Sequence, residues 1–287
     1  MNNIYIYLQL FIVVMLMAAC TKETVDDNTT DEPTNSSSRQ MSLVATQEHS
    51  SLSTRASLSE VSETFTNVWQ NNDQLMVYDN SDNNTFSLEQ GSNTSTGTFK
   101  GKTSYSTDVN YTALYPFAIG TITAEGMASV TFPSNQTATV NGYDSNAMIM
   151  IGKGKFVGND KILTISMKNT VALVQVTPNF DCKSIIITSP DSKIAGTGTI
   201  SYASSEPILT ITETTSNSNT ITLQGTINQG NTYYIVVPAV TLSANWTISF
   251  EDSNNVLKTR RTDKSITFNR NTITNLGTFY ADALYWE

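Results

Sequence analysis

Cys20 is the residue whose neighbours most directly imply covalent chemistry. Residues 1–20 read MNNIYIYLQLFIVVMLMAAC, so the apolar run from Leu10 to Ala19 ends in the small residues Ala18 and Ala19, directly before the thiol. Small residues there let a signal peptidase fit the chain into a narrow cleft, and the thiol that follows can take a diacylglycerol. The pattern resembles a lipobox with Met17 where Leu is usual, and no Lys or Arg precedes residue 22. The run has the length of a signal-peptide core and falls short of the roughly 20 apolar residues a membrane span needs. Tyr5, Tyr7 and Gln9 interrupt any extension back to Ile4. The expectation is that residues 1–19 are a lipoprotein signal peptide and that Cys20 carries the lipid. Each acyl CH₂ buried in a membrane then contributes about 0.8 kcal/mol of attachment.

Other reactive residue types are sparse. His49 is the single histidine of the 287 residues and lies in a Ser-rich stretch, which removes Ser-His-Asp and Cys-His catalysis and zinc sites built on several histidines. A glycosidase needs only two carboxylates, for which Asp73, Asp79, Asp181, Glu213 and Asp282 are the candidates; no spacing pairs them, and solvated turns and strand ends are their expected places. DNSDNN at 79–84 has the flavour of a calcium loop without the later Glu, and reads better as a polar hairpin. No Gly-rich phosphate loop follows a strand. Cys182, in the strand-like FDCKSIIIT, has no partner once Cys20 is acylated, so no disulfide is expected and the thiol reads as a buried small hydrophobe. Trp69, Trp246 and Trp286 could stack on sugars, but Trp246 alternates with Ile248 and Phe250 on one strand face, as core residues do. No cofactor, no metal and no enzymatic activity are expected.

Composition narrows the partners. The net charge is −9, with no basic stripe to neutralise phosphates, which excludes nucleic acid, and no polybasic patch for a membrane surface. Charged residues are only 14%, while Thr, Ser and Asn are abundant, as on the outward strand faces of exported β-proteins.

The elements that must position these residues follow a period of two. Residues 21–40, TKETVDDNTTDEPTNSSSRQ, hold no large apolar side chain except Val25 and read as a flexible tether. Beyond it, MSLVA places Met41, Leu43 and Ala45 on one face, and runs such as KILTISM, SIIITS and WTISFED repeat the alternation between turn residues. Only VSETFTNVW, through Val61, Phe65 and Val68, allows a helical turn or two. About sixteen short strands at roughly ten-residue spacing predict an all-β chain of two β-sandwiches. Pro238, inside YYIVVPAV, cannot donate to a ladder and predicts an edge strand or a bulge.

Several stretches in order carry a family resemblance: TRASLSEV, TNVWQNNDQLMVYD, TGTFKG, YTALYPF, ISMKNTVALVQV, SPDSKIAGTGTI, NTYYIVVPAV and ITFNRNTITNLGTF. From about residue 53 to 279 the chain resembles the fimbrillin (Mfa-like) family of Bacteroidetes lipoproteins. Glu23, Asp26 and Asp27, close behind Cys20, similarly resemble the acidic export tag of Bacteroidetes surface lipoproteins. The resemblance implies two tandem transthyretin-like β-sandwich domains. With it the chain divides into a signal peptide (1–19), a tether with a cleavable first strand (20–55), an N-terminal sandwich (56–178) and a C-terminal sandwich (179–287). KILTISMKNTVALVQV is taken as the last strand of the first domain, placing the boundary near Pro178.

The resemblance also implies an assembly route. A lipoprotein of the outer membrane, exposed at the cell surface, is cut after an Arg, loses its first strand, and accepts a strand from another fimbrillin subunit by β-augmentation. Before the folded body the Arg residues are Arg39 and Arg55. A cut at Arg39 leaves MSLVA in place, whereas a cut at Arg55 frees it, so Arg55 is the favoured position. The function implied is a fimbrial (pilus) subunit or fimbria-associated adhesin, with host or bacterial surface ligands as further partners. The alternative is a surface glycan-binding lipoprotein of a sugar-uptake system.

Overall fold

A computed structural model describes residues 38–48, 51–54, 67–156 and 162–283. Cys20, His49, Arg55, Val61, Phe65 and Trp286 lie outside these residues. Among the described residues there are twenty-two strands and three short 3₁₀ turns, with no α-helix. The strands of the first half are β1 (Arg39–Gln47), β2 (Ser51–Thr54), β3 (Gln74–Tyr78), β4 (Asn83–Gln90), β5 (Thr96–Thr103), β6 (Tyr111–Tyr115), β7 (Gly120–Ala124), β8 (Met127–Phe132), β9 (Asn135–Thr137), β10 (Met150–Gly154) and β11 (Ile162–Asn169). They are followed by β12 (Val171–Pro178), β13 (Cys182–Thr188), β14 (Gly196–Ser201), β15 (Ile208–Ile211), β16 (Thr220–Ile227) and β17 (Tyr233–Pro238). The last five are β18 (Thr241–Leu242), β19 (Thr247–Glu251), β20 (Leu257–Arg261), β21 (Ile266–Thr267) and β22 (Thr272–Phe279).

The all-β class is as the alternation predicts, and turn chemistry sets where strands end. Asn72, Asn80, Asn93, Asn141, Asn245, Asn255 and Asn271 all take positive φ. Asparagine tolerates that region through local side-chain hydrogen bonding, so the abundant Asn is turn material. The DNSDNN stretch is the β3–β4 hairpin, as read from the sequence.

Seven strands close into a ring in the order β1-β11-β10-β6-β3-β4-β5. The remainder forms a four-stranded sheet β17-β12-β22-β2, a five-stranded sheet β20-β19-β13-β16-β9, a four-stranded sheet β15-β14-β8-β7 and the pair β18-β21. Two apolar clusters result. One fills the ring with Leu43, Trp69, Leu75, Phe86, Phe99, Tyr111, Leu163 and Ile165. The other gathers the second half, including Leu173, Val174, Ile185, Ile187, Tyr233, Ile248 and Phe250. Met76, Leu114 and Ile151 belong to this second cluster although they sit on β3, β6 and β10 of the ring. They are cross-strand neighbours, Met76 opposite Leu114 and Leu114 opposite Ile151. The ring wall is therefore apolar on both faces there, which is why YTALY is buried throughout and does not alternate.

The sheets depart from the sequence reading at two places. KILTISMKNTVALVQV is not one strand. β11 ends at Asn169, and β12 begins at Val171 in the other sheet system, between β17 and β22. The passage is made at Thr170, whose backbone N–H and hydroxyl both donate to the Ile149 carbonyl, at 2.9 and 3.0 Å. The chain therefore passes from one sheet to another at Thr170. In addition, β7 and β8 precede that point yet pair onward to β14, and β9 pairs with β16. Pro238 closes β17, an edge strand, as its missing N–H requires.

Candidate functional site

The N-terminal strand holds an unusual place. β1 lies between β5, to which it is antiparallel, and β11, to which it is parallel. Leu43 thus faces Phe99 on one side and Leu163 on the other. Without β1 the ring would be a six-stranded open sheet with free edges at β5 and β11. Met41, Leu43, Ala45 and Gln47 point inward, and Leu43 and Ala45 have no exposed surface. The alternation read in MSLVA is therefore the burial pattern of a strand inserted into a sheet, with its backbone bonded on both sides.

The floor under β1 is shaped by glycines and Trp69. Gly101 stands opposite Met41, and Gly97 opposite Ala45. A Cβ on Gly97 would come within 2.8 Å of the Trp69 ring and 2.7 Å of Leu88. Trp69 is fully buried, makes edge contacts with Phe99 and Tyr115 at ring centroid distances of 5.0 and 5.3 Å, and donates its indole N–H to the Ala45 carbonyl at 3.1 Å. The slot therefore narrows where β1 presents its smallest inward side chain.

Beyond Gln47 the chain is tied down by charge. The Glu48 N–H donates to the Met167 carbonyl at 3.0 Å. Its carboxylate accepts from both guanidinium arms of Arg270, at 2.6 and 3.1 Å, and from the Asn169 N–H at 3.1 Å. Arg270 also donates to the Asn169 carbonyl at 2.8 Å and pairs with Glu206. The segment then continues to β2, which runs parallel to β22 in the second sheet system. One short stretch of chain is thus laced into two different sheets. Neither Glu48 nor Arg270 was singled out from the sequence: they are 222 residues apart, and neither sits in a motif.

Arg39 is exposed and is the first residue of β1, opposite Thr103. A cut there would leave Gln40–Gln47 in the ring. Arg55 lies just past β2 and outside the described residues, as does Cys20. Four of the five candidate acids accept a backbone N–H. Asp73 accepts from the Gln70 N–H at 2.7 Å and the Tyr115 hydroxyl at 3.0 Å; burial raises its carboxyl against those two bonds. Asp79 is partly buried, which alone would raise it. Bonds from the Asp82 and Ser104 N–H groups and from the Ser81 and Thr103 hydroxyls outweigh that and hold it well below the usual carboxylate range. Asp181 accepts from the Gln229 N–H and Glu213 from the Lys193 N–H, while Asp282 is exposed. Burial pushes the Cys182 thiol up to about 12, the state of an inert core residue. Trp246 is 6% exposed and donates to the Lys264 carbonyl at 3.2 Å, so Trp69 and Trp246 are both core residues and offer no ring face to a sugar.

No protein-family model and no curated relative matches the chain. Solved structures do. A putative cell adhesion protein from Bacteroides ovatus superposes with a TM-score of 0.56 at 14% identity, over 88% of this chain and 96% of that one. A putative cell adhesion protein from Bacteroides uniformis gives 0.52 at 12% identity, over 83% and 94%. At such identities the likeness is one of fold, and it agrees with the resemblance read from the ordered sequence motifs.

Proposed function

We propose that the protein is a surface-displayed fimbrial subunit or fimbria-associated adhesin, a non-enzymatic module assembled by strand exchange with other fimbrillin subunits. The observation that carries this reading is the position of β1. It closes the ring between two strands, bonded on both sides, yet it comes from the N-terminal end of the described body. Removing it would uncover an apolar trough and two rows of unpaired backbone groups, and an incoming strand satisfies both. The shared fold with two Bacteroides proteins named for cell adhesion supports the same class.

Arg55 is the proposed processing point and Arg39 the disfavoured one. A cut after Arg55 places β1 and β2 together on the released piece. Limited digestion with an Arg-specific protease is expected to cut there and to yield species larger than a monomer. Arg55→Ala should block both steps, and Arg39→Ala should block neither. A cut at Arg55 that leaves a stable monomer with β1 still seated would sink the strand-exchange reading and leave a non-polymerising adhesin.

Cys20 is the proposed anchor, holding the protein at the outer membrane with its body facing outward. Cys20→Ala is expected to move the protein from the membrane pellet to the soluble fraction. Unchanged pelleting would overturn the anchor.

A further inference from the structure

The protein's own β1 is an imperfect occupant of its slot. Gln47 is the last of the inward residues, 5% exposed, and its side-chain oxygen has no hydrogen-bond partner among the described residues. A buried amide oxygen loses its water on entry and gains nothing in return. The other inward positions fit: Met41 over Gly101, Leu43 between Phe99 and Leu163, Ala45 above Trp69. The mismatch is confined to one residue. It lies directly before the best-held one, Glu48, whose carboxylate receives the Arg270 fork and the Asn169 N–H.

Two consequences follow for any strand that replaces β1. An apolar side chain at the Gln47 position would remove the unpaired oxygen and fill the same buried space. A carboxylate at the next position would meet a site that stays assembled after β1 departs, because Arg270 keeps its bond to the Asn169 carbonyl and its pairing with Glu206. Without such a carboxylate, Arg270 would lose two of its bonds. The carboxylate and the small residue above Trp69 together fix register. A slip of one residue would put the charge inside the ring, and a slip of two would drive a larger side chain onto the indole.

Resting on the strand-exchange reading, we propose that the slot takes, in preference to the resident β1, an extended segment of another protein chain with a defined pattern. It carries apolar residues at the Met41 and Leu43 positions, a small one at Ala45, an apolar one at Gln47 and a carboxylate at Glu48. Self-occupancy is the weaker state by design of that one glutamine, so exchange is downhill once the tie beyond β2 is cut.

The test places the substitutions in a peptide, so the fold of the protein is untouched. The full chain is digested at Arg55 in the presence of a labelled peptide of residues 40–54, and capture is read by size exclusion. Unlabelled competitors are the same peptide, its Gln47→Leu form and its Glu48→Gln form. Gln47→Leu should compete about tenfold better than the native peptide, the size of effect expected from relieving one unpaired buried acceptor. Glu48→Gln should compete about tenfold worse at low salt, with the gap narrowing as salt rises, since the pair is partly exposed. Any other ranking overturns the proposed pattern while capture of the native peptide leaves strand exchange standing. If none of the three peptides is captured, strand exchange itself fails, and the pattern with it.

Discussion

Leu43→Asp is expected to abolish the closed ring at neutral pH. Leu43 has no exposed surface and sits between Phe99 and Leu163. Leu→Ala at such a site costs about 2–5 kcal/mol through lost transfer energy and a residual cavity. An unpaired carboxylate there has no counter-charge and costs more, unless it is expelled together with the strand. Since whole domains are stable by only about 5–15 kcal/mol, the expected result is a protein whose ring half has melted or whose β1 has left the slot. Ser42→Asp, one residue away on the outward face, should change stability by no more than about 0.5 kcal/mol. Urea unfolding of the two variants decides the matter. Equal midpoints would mean that β1 is not inserted with this face inward.

Trp69→Ala comes next in size, at about 3–5 kcal/mol. The indole supports Ala45 from below, makes two edge-on ring contacts, and supplies the donor to the Ala45 carbonyl. Trp69→Phe separates these contributions, because it keeps most of the apolar volume and drops the N–H. It should cost about 1–3 kcal/mol, the price of leaving one buried carbonyl with an unmet bond. Far-UV circular dichroism during chemical unfolding gives both values. A Phe variant as weak as the Ala variant would show that the hydrogen bond, and not the packing, carries the effect.

Much of this was legible in the residues. Strict alternation in MSLVA and KILTISM corresponds to half-buried strands: Met41, Leu43 and Ala45 point inward as expected, and Leu163, Ile165 and Met167 form the buried face of β11. Pro238 signalled an edge strand because its missing N–H is a local fact. Cys182 and Trp246 read as core because apolar residues flank them at strand spacing. What stayed hidden was set by distant parts of the chain. ISMKNTVALVQV contains no Gly or Pro, so nothing local marks the change of sheet at Thr170. The change is fixed by polar groups elsewhere: the Ile149 carbonyl on Thr170, and Asn271 bonded to the Asn169 side chain at 2.6 Å. VALV is continuously apolar because β12 is buried on both faces within the second cluster, a property of the residues packed around it and not of its own sequence. Nothing local marks Glu48, since its partner Arg270 lies 222 residues on. The strand was readable, but its two partner strands and the fastening at its end were not.

The placement of β1 also has a mechanical meaning. Its hydrogen bonds run across the strand axis to β5 on one side and β11 on the other. A pull applied at Arg39 along the strand loads that axis, and the proposed lipid anchor would pull from that end. The rungs on both sides are then strained together, in the manner of a lap joint, and cannot peel apart one after another. The strand proposed to leave on cleavage is therefore also one well placed to bear tension.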